Sequence, residues 1–185
     1  FTEDSPYKPN SPYSASKASA DHLVRAWYKT YGVPTIITNC SNNFGPRQDI
    51  EKLIPKVISN AINGKEIPVY GNGKNIREWV YVKDHCHGIY LAMENGLVGH
   101  SYCLGGYSEL QNIKLVSNIC EILDTMRPKH DCLSYKKQII FTDDRPGHDF
   151  RYALDFKKAE THIGYKPKTT MEDSLSKTIL FYTDE

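Results

Sequence analysis

Helix-type and strand-type segments alternate along the chain, and this alternation limits the folds open to it more than any other feature. Segment 12–31 repeats apolar residues at helical spacing and stops at Gly32, while the β-branched run after it is typical of a strand. The pattern predicts an α/β or α+β fold. Helices are predicted at 12–31, 52–63, 84–95, 112–124, 156–163 and 171–182. Strands are predicted at 34–41, 67–70, 76–82, 100–106, 138–142 and 151–155, with a loop at 41–47 and an exposed connection at 126–137.

The charge balance excludes one class of function. The 185 residues include 23 Lys or Arg and 22 Asp or Glu, which leaves a net charge of +1. Nonspecific nucleic-acid binding needs a concentrated basic surface, so we expect no nucleic-acid partner. No apolar run approaches membrane length and no signal-peptide pattern opens the chain, so we expect no membrane contact.

The cysteines favour a reducing compartment. Their number is odd, none forms a C-x-x-C pair, and most lie in apolar segments. We therefore expect a cytoplasmic protein with buried structural thiols. The five are Cys40, Cys86, Cys103, Cys120 and Cys132.

The stretch Tyr-Ser-Ala-Ser-Lys places Tyr13 and Lys17 four residues apart in the first turns of a predicted helix, on one face. A lysine ammonium beside a phenol stabilises the phenolate, which can accept a proton from a sugar hydroxyl while hydride leaves the adjacent carbon. The spacing alone is weak evidence, because chance supplies about one such pair in a chain of this composition. A second pair, Tyr70 and Lys74, spans a turn.

Longer segments carry a resemblance that covers nearly the whole chain. They are SPYSASKASADHLVRAWYKTYGVPTIITNCSNNFGP, EKLIPKVISNA, IPVYGNGKNIREWVYVKDH and DRPGHDFRYALD. Together they resemble the extended short-chain dehydrogenase/reductase family, and SNNFGP, EKLIP and DRPGHDFRYALD are similar to its dehydratase branch. The resemblance implies NAD-dependent dehydration of dTDP-glucose to dTDP-4-dehydro-6-deoxyglucose, a step in deoxysugar or rhamnose biosynthesis.

The resemblance also implies roles for individual residues. Tyr13 would be the base at the sugar 4-hydroxyl, and Lys17 would tune it and hold the nicotinamide ribose. Tyr13, Lys17 and Asn43 would contact the cofactor NAD. The residues implied to bind dTDP-glucose are Asn42, Lys52, Leu53, Pro68, Val69, Tyr70, Arg77, Asn112, Arg145 and His148.

Two of these residues, Arg77 and Arg145, would clamp the pyrophosphate, a task suited to the bidentate guanidinium group. Considered without the family, Arg77 could be a surface charge. The Arg145 segment could equally be a simple turn, because Pro-Gly is common turn chemistry.

The chain lacks the glycine-rich turn by which a dinucleotide fold approaches a pyrophosphate. It also opens with Phe1 rather than Met. We therefore expect the α/β C-terminal part of an extended Rossmann-type short-chain dehydrogenase/reductase, without the glycine-rich dinucleotide-binding half. Residues 1–50 would form the end of the Rossmann core with the Tyr–Lys helix and a following strand, and residues 51–185 mostly the substrate-binding domain.

A Thr-Asp-Glu set, which the resemblance implies for the elimination of water, is also missing upstream of the tyrosine. Thr2-Glu3-Asp4 has the wrong order, and Thr183-Asp184-Glu185 ends the last predicted helix. We therefore expect no turnover by this chain alone.

Other functions stay open. A nucleotide-sugar epimerase, a decarboxylase of UDP-glucuronate and a dehydratase for another nucleotide share the Tyr–Lys pair and the Arg-Glu-Trp strand. The missing cofactor motif also suits a noncatalytic nucleotide-sugar binding module. A metal site in the stretch Asp-His-Cys-His is disfavoured, because His85 and His87 point to nearly opposite sides of a helix.

The predicted Tyr–Lys helix bears on association. It carries Leu23, Trp27 and Tyr28, more apolar surface than one short chain covers comfortably. Since the family commonly forms dimers through helices that include this one, the resemblance implies a homodimer of the full-length enzyme.

Overall fold

The computed structural model describes residues 1–144, 147 and 149–184. The helices of these residues are α1 (Pro12–Tyr31), α2 (Leu53–Ile62), α3 (Val82–Asn95), α4 (Asn112–Met126), α5 (Lys157–Ile163) and α6 (Met171–Thr183). All six predicted helices are confirmed. None of the helices in the described ranges combines the length and the hydrophobicity needed to cross a membrane.

The strand predicted at 67–70 has its predicted range, the other predicted strands are shorter, and two strands were not indicated by the sequence. The strands are β1 (Ile37–Cys40), β2 (Asn42–Phe44), β3 (Ile67–Tyr70), β4 (Ile76–Tyr81), β5 (Ser101–Leu104), β6 (Ser108–Gln111), β7 (Ile139–Thr142) and β8 (Arg151–Tyr152). The loop prediction at 41–47 was wrong where β2 lies, and β6 was missed. Neither strand contains a β-branched residue, and both are held by pairing with β4.

The strands form three small sheets, mostly from parallel pairs. β1 pairs with β5, and β3 pairs with β7, both in parallel. β4 is the centre of the third sheet, parallel to β2 and β8 and antiparallel to β6. Parallel strands joined through helices are typical of α/β proteins, so the predicted fold class is confirmed.

The main core lies between helices α2, α4 and α6 and the strands. Ile54 and Ile58 of α2, Leu115 and Ile119 of α4, and Ile179 of α6 are fully buried there. Their spacing of three to four residues gives each helix one apolar face. A smaller cluster packs α5 and the end of α3 on β5.

The prediction of an exposed connection at 126–137 was wrong at its end. Tyr135 begins a short 3₁₀ helix (Tyr135–Gln138) and is buried in the main core. Its hydroxyl donates to the carbonyl of Arg127 at 2.8 Å, and its main-chain N–H donates to the Asp124 carboxylate. A single aromatic residue anchors this otherwise polar segment, which is why composition did not reveal it.

Local signals define α1. The Ser11 side chain accepts from the main-chain N–H of Ser14, Pro12 occupies the first turn, and Gly32 ends the helix at φ 69°. The helix nevertheless buries only Ala18. Its structure therefore rests on these caps and on its length more than on packing.

The prediction of buried thiols was correct for part of the set. All five cysteines are free; Cys103 and Cys120 are buried, and burial raises the pKa of each to about 12. Cys86 and Cys132 are exposed, contrary to the prediction.

Candidate functional site

The Tyr–Lys pair lies at the start of α1 and faces outward. Tyr13 is 75 % exposed and Lys17 is also exposed. Val24, Trp27 and Tyr31 follow at helical spacing on the same face, and all three are exposed as well. We call these five residues the α1 stripe. The Tyr–Lys pair is thus at one end of an exposed, largely apolar face of α1 that the described residues leave uncovered.

Lys17 is close to the junction between β1 and β2. Burial raises the pKa of the Cys40 thiol at the end of β1, and the Lys17 ammonium opposes that shift. The Tyr152 hydroxyl donates to the Cys40 carbonyl at 3.0 Å, which ties β8 to the same point. The fold therefore brings the Tyr–Lys pair near the predicted Asn42 and Asn43.

Asn42 and Asn43 are half-buried neighbours on β2. They are in register with Trp79 and Val80 of β4. Because they are successive residues of one strand, their side chains point to opposite faces of the sheet. The side-chain amide of Asn43 contacts Nδ1 of His85 on α3. The main-chain carbonyl of Asn43 accepts from Gln48 Nε2 at 2.8 Å. Two adjacent asparagines therefore place one side chain on each face of the sheet.

Lys52 and Leu53 follow the loop after β2. Lys52 is exposed and precedes α2, whereas Leu53 is the first residue of α2 and packs against the main core. Lys52 is therefore the member of the pair that can present a charge to a ligand.

The predicted base-binding residues lie on β3. Val69 is 2 % exposed and belongs to the main core, while Tyr70 is 39 % exposed at the end of the strand. Pro68 is half-buried. Only Pro68 and Tyr70 therefore offer side-chain surface, and Val69 can contribute its main chain.

Arg77 and Asn112 both lie near the start of β4. Asn112 begins α4, and its N–H donates to the carbonyl of Asn75 at 3.0 Å. Asn112 Oδ1 is buried without a partner in the described residues. Arg77 Nη2 donates to the carbonyl of Asp149 at 2.6 Å. Asn112 therefore contacts the main chain of Asn75, just before the first residue of β4. Arg77, the second residue of β4, contacts the main chain of Asp149.

The turn between β3 and β4 joins Tyr70 to the same region. The N–H of Gly73 donates to the Tyr70 carbonyl at 3.1 Å, and the Gly73 carbonyl accepts from the N–H of Ile113 at 3.0 Å. Ile113 follows Asn112 in the first turn of α4. The end of β3 and the start of α4 are therefore connected through this turn.

The structure brings the described site residues into two groups. Tyr70, Arg77 and Asn112 surround the turn that precedes β4, and we call them the turn cluster. Asn42 and Asn43 lie on β2, which begins two residues after Cys40, where the Lys17 charge acts; Lys52 lies after β2, at the start of α2. Arg145 and His148 lie outside the described residues, so their predicted roles stay predictions.

Among the residues that sequence reasoning missed, two contact Asn43 of the predicted site. Gln48 reaches back to Asn43, and His85 contacts the Asn43 side chain. Burial lowers the pKa of His85. The Asp-His-Cys-His stretch drew attention to His85 only as a metal ligand, and no signal in the sequence links it to Asn43.

The structure gives the stretch Asp-His-Cys-His and the stretch Thr-Glu-Asp other partners. Asp84 accepts from the N–H of Thr169 at 3.0 Å, and Glu3 accepts from the N–H of Cys103 at 2.7 Å. Among the described residues, no three His, Cys, Asp or Glu side chains are grouped so that they could hold a metal ion.

The fold and the site place the chain among the α/β proteins that carry a Tyr–Lys pair beside parallel strands. The model of the GDP-mannose 4,6 dehydratase family matches residues 1–178, and the chain belongs to that family. The resemblance recognised in the sequence is thereby confirmed.

Individual proteins give a closer comparison than the family model does. The chain is 53 % identical over 182 residues to the dTDP-glucose 4,6-dehydratase of Shigella flexneri, covering 98 % of this chain and 50 % of that protein. The structure of the dTDP-glucose 4,6-dehydratase of Bacillus anthracis in complex with NAD has a TM-score of 0.89 and 43 % identity, covering 100 % of this chain and 56 % of that one. The chain spans about half the length of the curated relatives it matches.

A solved structure with lower sequence identity to this chain is that of a different enzyme. The UDP-glucose 4-epimerase of Thermotoga maritima, solved with UDP-glucose, has a TM-score of 0.89 and 25 % identity, and the match covers 100 % of this chain and 57 % of that one. Similar TM-scores with unequal identities mean that the shared fold does not separate the two activities, whereas the sequence is closer to the dehydratases.

Proposed function

We propose that the protein carrying this chain is an NAD-dependent lyase that dehydrates dTDP-glucose to dTDP-4-dehydro-6-deoxyglucose. The observation that carries the proposal is the Tyr13–Lys17 pair on α1 beside the β1–β2 junction, in a chain 53 % identical to a dTDP-glucose 4,6-dehydratase. The deoxysugar or rhamnose pathway and the cytoplasmic localisation stay predictions from the sequence.

The division of the chain is part of the proposal. Residues 1–50 would be the end of a Rossmann core, and residues 51–185 mostly the substrate-binding domain. Within the described residues, β1 pairs with β5 on one edge only, which suits a strand that continues a larger parallel sheet. The packing of α2, α4 and α6 around one core supports a unit made mostly of residues after 50, with Phe44 of β2 also contributing to that core.

The turn cluster would hold the nucleotide. The ring of Tyr70 is exposed enough to stack on a base, and Asn112 has a buried oxygen without a partner in the described residues. Arg77 would bring positive charge to the pyrophosphate. Asn42, Lys52, Leu53, Pro68 and Val69 complete the proposed substrate site, together with Arg145 and His148 from the sequence.

The chemistry of the donor set fits NAD at Tyr13, Lys17 and Asn43. When bound, NAD would accept hydride from the sugar carbon. Tyr13 would take the proton of the adjacent hydroxyl, since its phenol is exposed at the start of α1. Lys17 would hold the nicotinamide ribose and stabilise the phenolate.

The sequence supplies neither the glycine-rich turn nor the elimination residues, so this chain alone should not turn over. A sensitive assay for the 4-keto product, with NAD and dTDP-glucose added to the chain, tests this expectation. Clear activity would contradict it.

Calorimetric titration with dTDP and with UDP tests the substrate class. Preference for dTDP, lost in Arg145→Ala, would support the dehydratase. Preference for UDP would favour the epimerase or decarboxylase, and the likeness to UDP-glucose 4-epimerase is the observation behind that alternative. Binding by a protein that shows no turnover at full length would favour a noncatalytic nucleotide-sugar binding module.

A homodimer is the proposed assembly. The α1 stripe leaves Trp27 54 % exposed and Tyr31 69 % exposed, with their rings 4.8 Å apart. Apolar surface in one continuous row is typical of an interface.

A further inference from the structure

His85 and Asn43 form a contact between the first turn of α3 and β2. Nδ2 of the Asn43 amide lies against Nδ1 of the His85 ring. An amide nitrogen only donates, so Nδ1 accepts and the ring proton is on Nε2. The ring is neutral in this arrangement, and burial lowers its pKa, which favours the same form.

The main chain of Asn43 is held as well. Its carbonyl accepts from Gln48 Nε2 at 2.8 Å, and the Gln48 carbonyl accepts from the hydroxyl of Tyr182 on α6. The side-chain amide and the main-chain carbonyl of Asn43 are thereby both held. Asn43 Oδ1 is buried and has no partner in the described residues.

The topology explains why His85 reaches this strand. β4 pairs in parallel with β2 and runs directly into α3, so the first turn of the helix begins beside Phe44, which is in register with Tyr81. Asp84 in that turn accepts from the N–H of Thr169 at 3.0 Å. The turn that carries His85 is therefore held on its other side.

We propose that His85 is a positioning residue for Asn43, holding the carboxamide in one orientation at the proposed cofactor site. The inference rests on the proposed function, in which Asn43 lies on the cofactor side. Without an acceptor at Nδ1, the amide loses its partner and the carboxamide is free to rotate. The turn cluster lies at the other end of β4, so nucleotide binding there should not depend on His85.

Two variants of the protein that carries this chain test the proposal. His85→Leu removes the acceptor, and His85→Asn keeps an oxygen near the position of Nδ1. We expect His85→Leu to weaken NAD binding about tenfold, the effect of one lost buried hydrogen bond, with His85→Asn within about twofold of the parent. Binding of dTDP should be unchanged in both variants.

Equal loss of NAD affinity in both variants, no loss in either, or a matching loss of dTDP affinity would overturn the proposal. A parent protein that binds neither NAD nor dTDP would instead reject the proposed function. Nitrogen NMR of the unsubstituted protein gives an independent check if His85→Leu does not fold. A proton on Nε2 of His85 is expected, and a proton on Nδ1 would overturn the proposal.

Discussion

Arg77 and Asp149, 72 positions apart in the chain, are joined by a hydrogen bond of 2.6 Å from Nη2 of the guanidinium to the main-chain carbonyl. The same carbonyl accepts from Asn75 Nδ2 at 3.2 Å, and Ile76 N–H donates to the carbonyl of Phe150 at 2.7 Å. The start of β4 is therefore bound to the segment that enters β8. This segment directly follows the stretch in which Arg145 and His148 are predicted to bind substrate.

Substitution of Arg77 should weaken both the fold and the nucleotide site. Arg77→Ala is expected to lower the free energy of unfolding by about 1–3 kcal/mol, because a partly buried charged donor is lost. Binding of dTDP should weaken about tenfold or more, because the segment that enters β8 loses its hydrogen bond to Arg77. Urea unfolding and calorimetry measure the two effects.

Arg151→Ala is the matched control for Arg77. Arg151 on β8 makes an exposed ion pair at 2.8 Å with Glu109 on β6, and both strands pair with β4. Exposed pairs contribute little, so stability and dTDP binding should stay close to the parent. Equal effects of the two substitutions would contradict the special role of Arg77.

Tyr13→Phe should strongly slow hydride transfer without disturbing the fold. The phenol is 75 % exposed, so its hydroxyl adds no packing. In the protein that carries this chain, kcat should fall at least about 10²-fold, the typical loss when a general base is removed. Binding of dTDP and the melting temperature should not change.

Tyr31→Phe tests whether the effect belongs to position 13. Tyr31 lies on the same face of α1 and is also exposed, but it is far along the helix from the β1–β2 junction. Its activity should equal that of the parent. Retention of more than about a tenth of the activity by Tyr13→Phe would reject the base assignment.

Local signals explain how much of the fold was predictable. The Ser11 cap, Pro12 and Gly32 delimit α1 within the sequence itself. β6 has no such signal, since Ser-Glu-Leu-Gln becomes a strand only by pairing with β4. Elements with their own caps or periodicity were therefore found, and elements made by distant pairing were missed.

The same distinction applies to the site. The Tyr–Lys spacing is contained in one helix and could be found from the sequence. The contact of His85 with Asn43 and that of Arg77 with Asp149 join residues 42 and 72 positions apart. Only the packing of β2, α3 and β8 around β4 brings these partners together.

Glu78 should make stability depend on pH. Glu78 is 3 % exposed, and its carboxylate accepts from the N–H of Leu154 at 2.9 Å. Burial raises the pKa of Glu78 above its usual 4.5, so the folded state holds the proton to a higher pH than the unfolded state. The free energy of unfolding should therefore fall as pH rises from about 4.5 through the raised pKa.

Glu78→Gln and Glu78→Leu separate charge from hydrogen bonding. Glu78→Gln removes the titration and keeps an acceptor for Leu154, so its stability should vary less over that pH range. Glu78→Leu leaves the N–H of Leu154 without its partner and should cost about 1–3 kcal/mol at every pH. Urea unfolding at several pH values decides, and an unchanged pH dependence in Glu78→Gln would contradict the assignment.

The α1 stripe should control self-association. Trp27→Glu combined with Tyr31→Glu replaces two exposed rings by like charges on the same face, so a dimer formed through the stripe should dissociate. Circular dichroism should not change, because neither ring is buried. Leu133→Glu is the matched control, since Leu133 is an exposed apolar residue outside α1. Sedimentation velocity should find the parent and Leu133→Glu dimeric and the double variant monomeric, whereas a dimeric double variant would place the interface elsewhere.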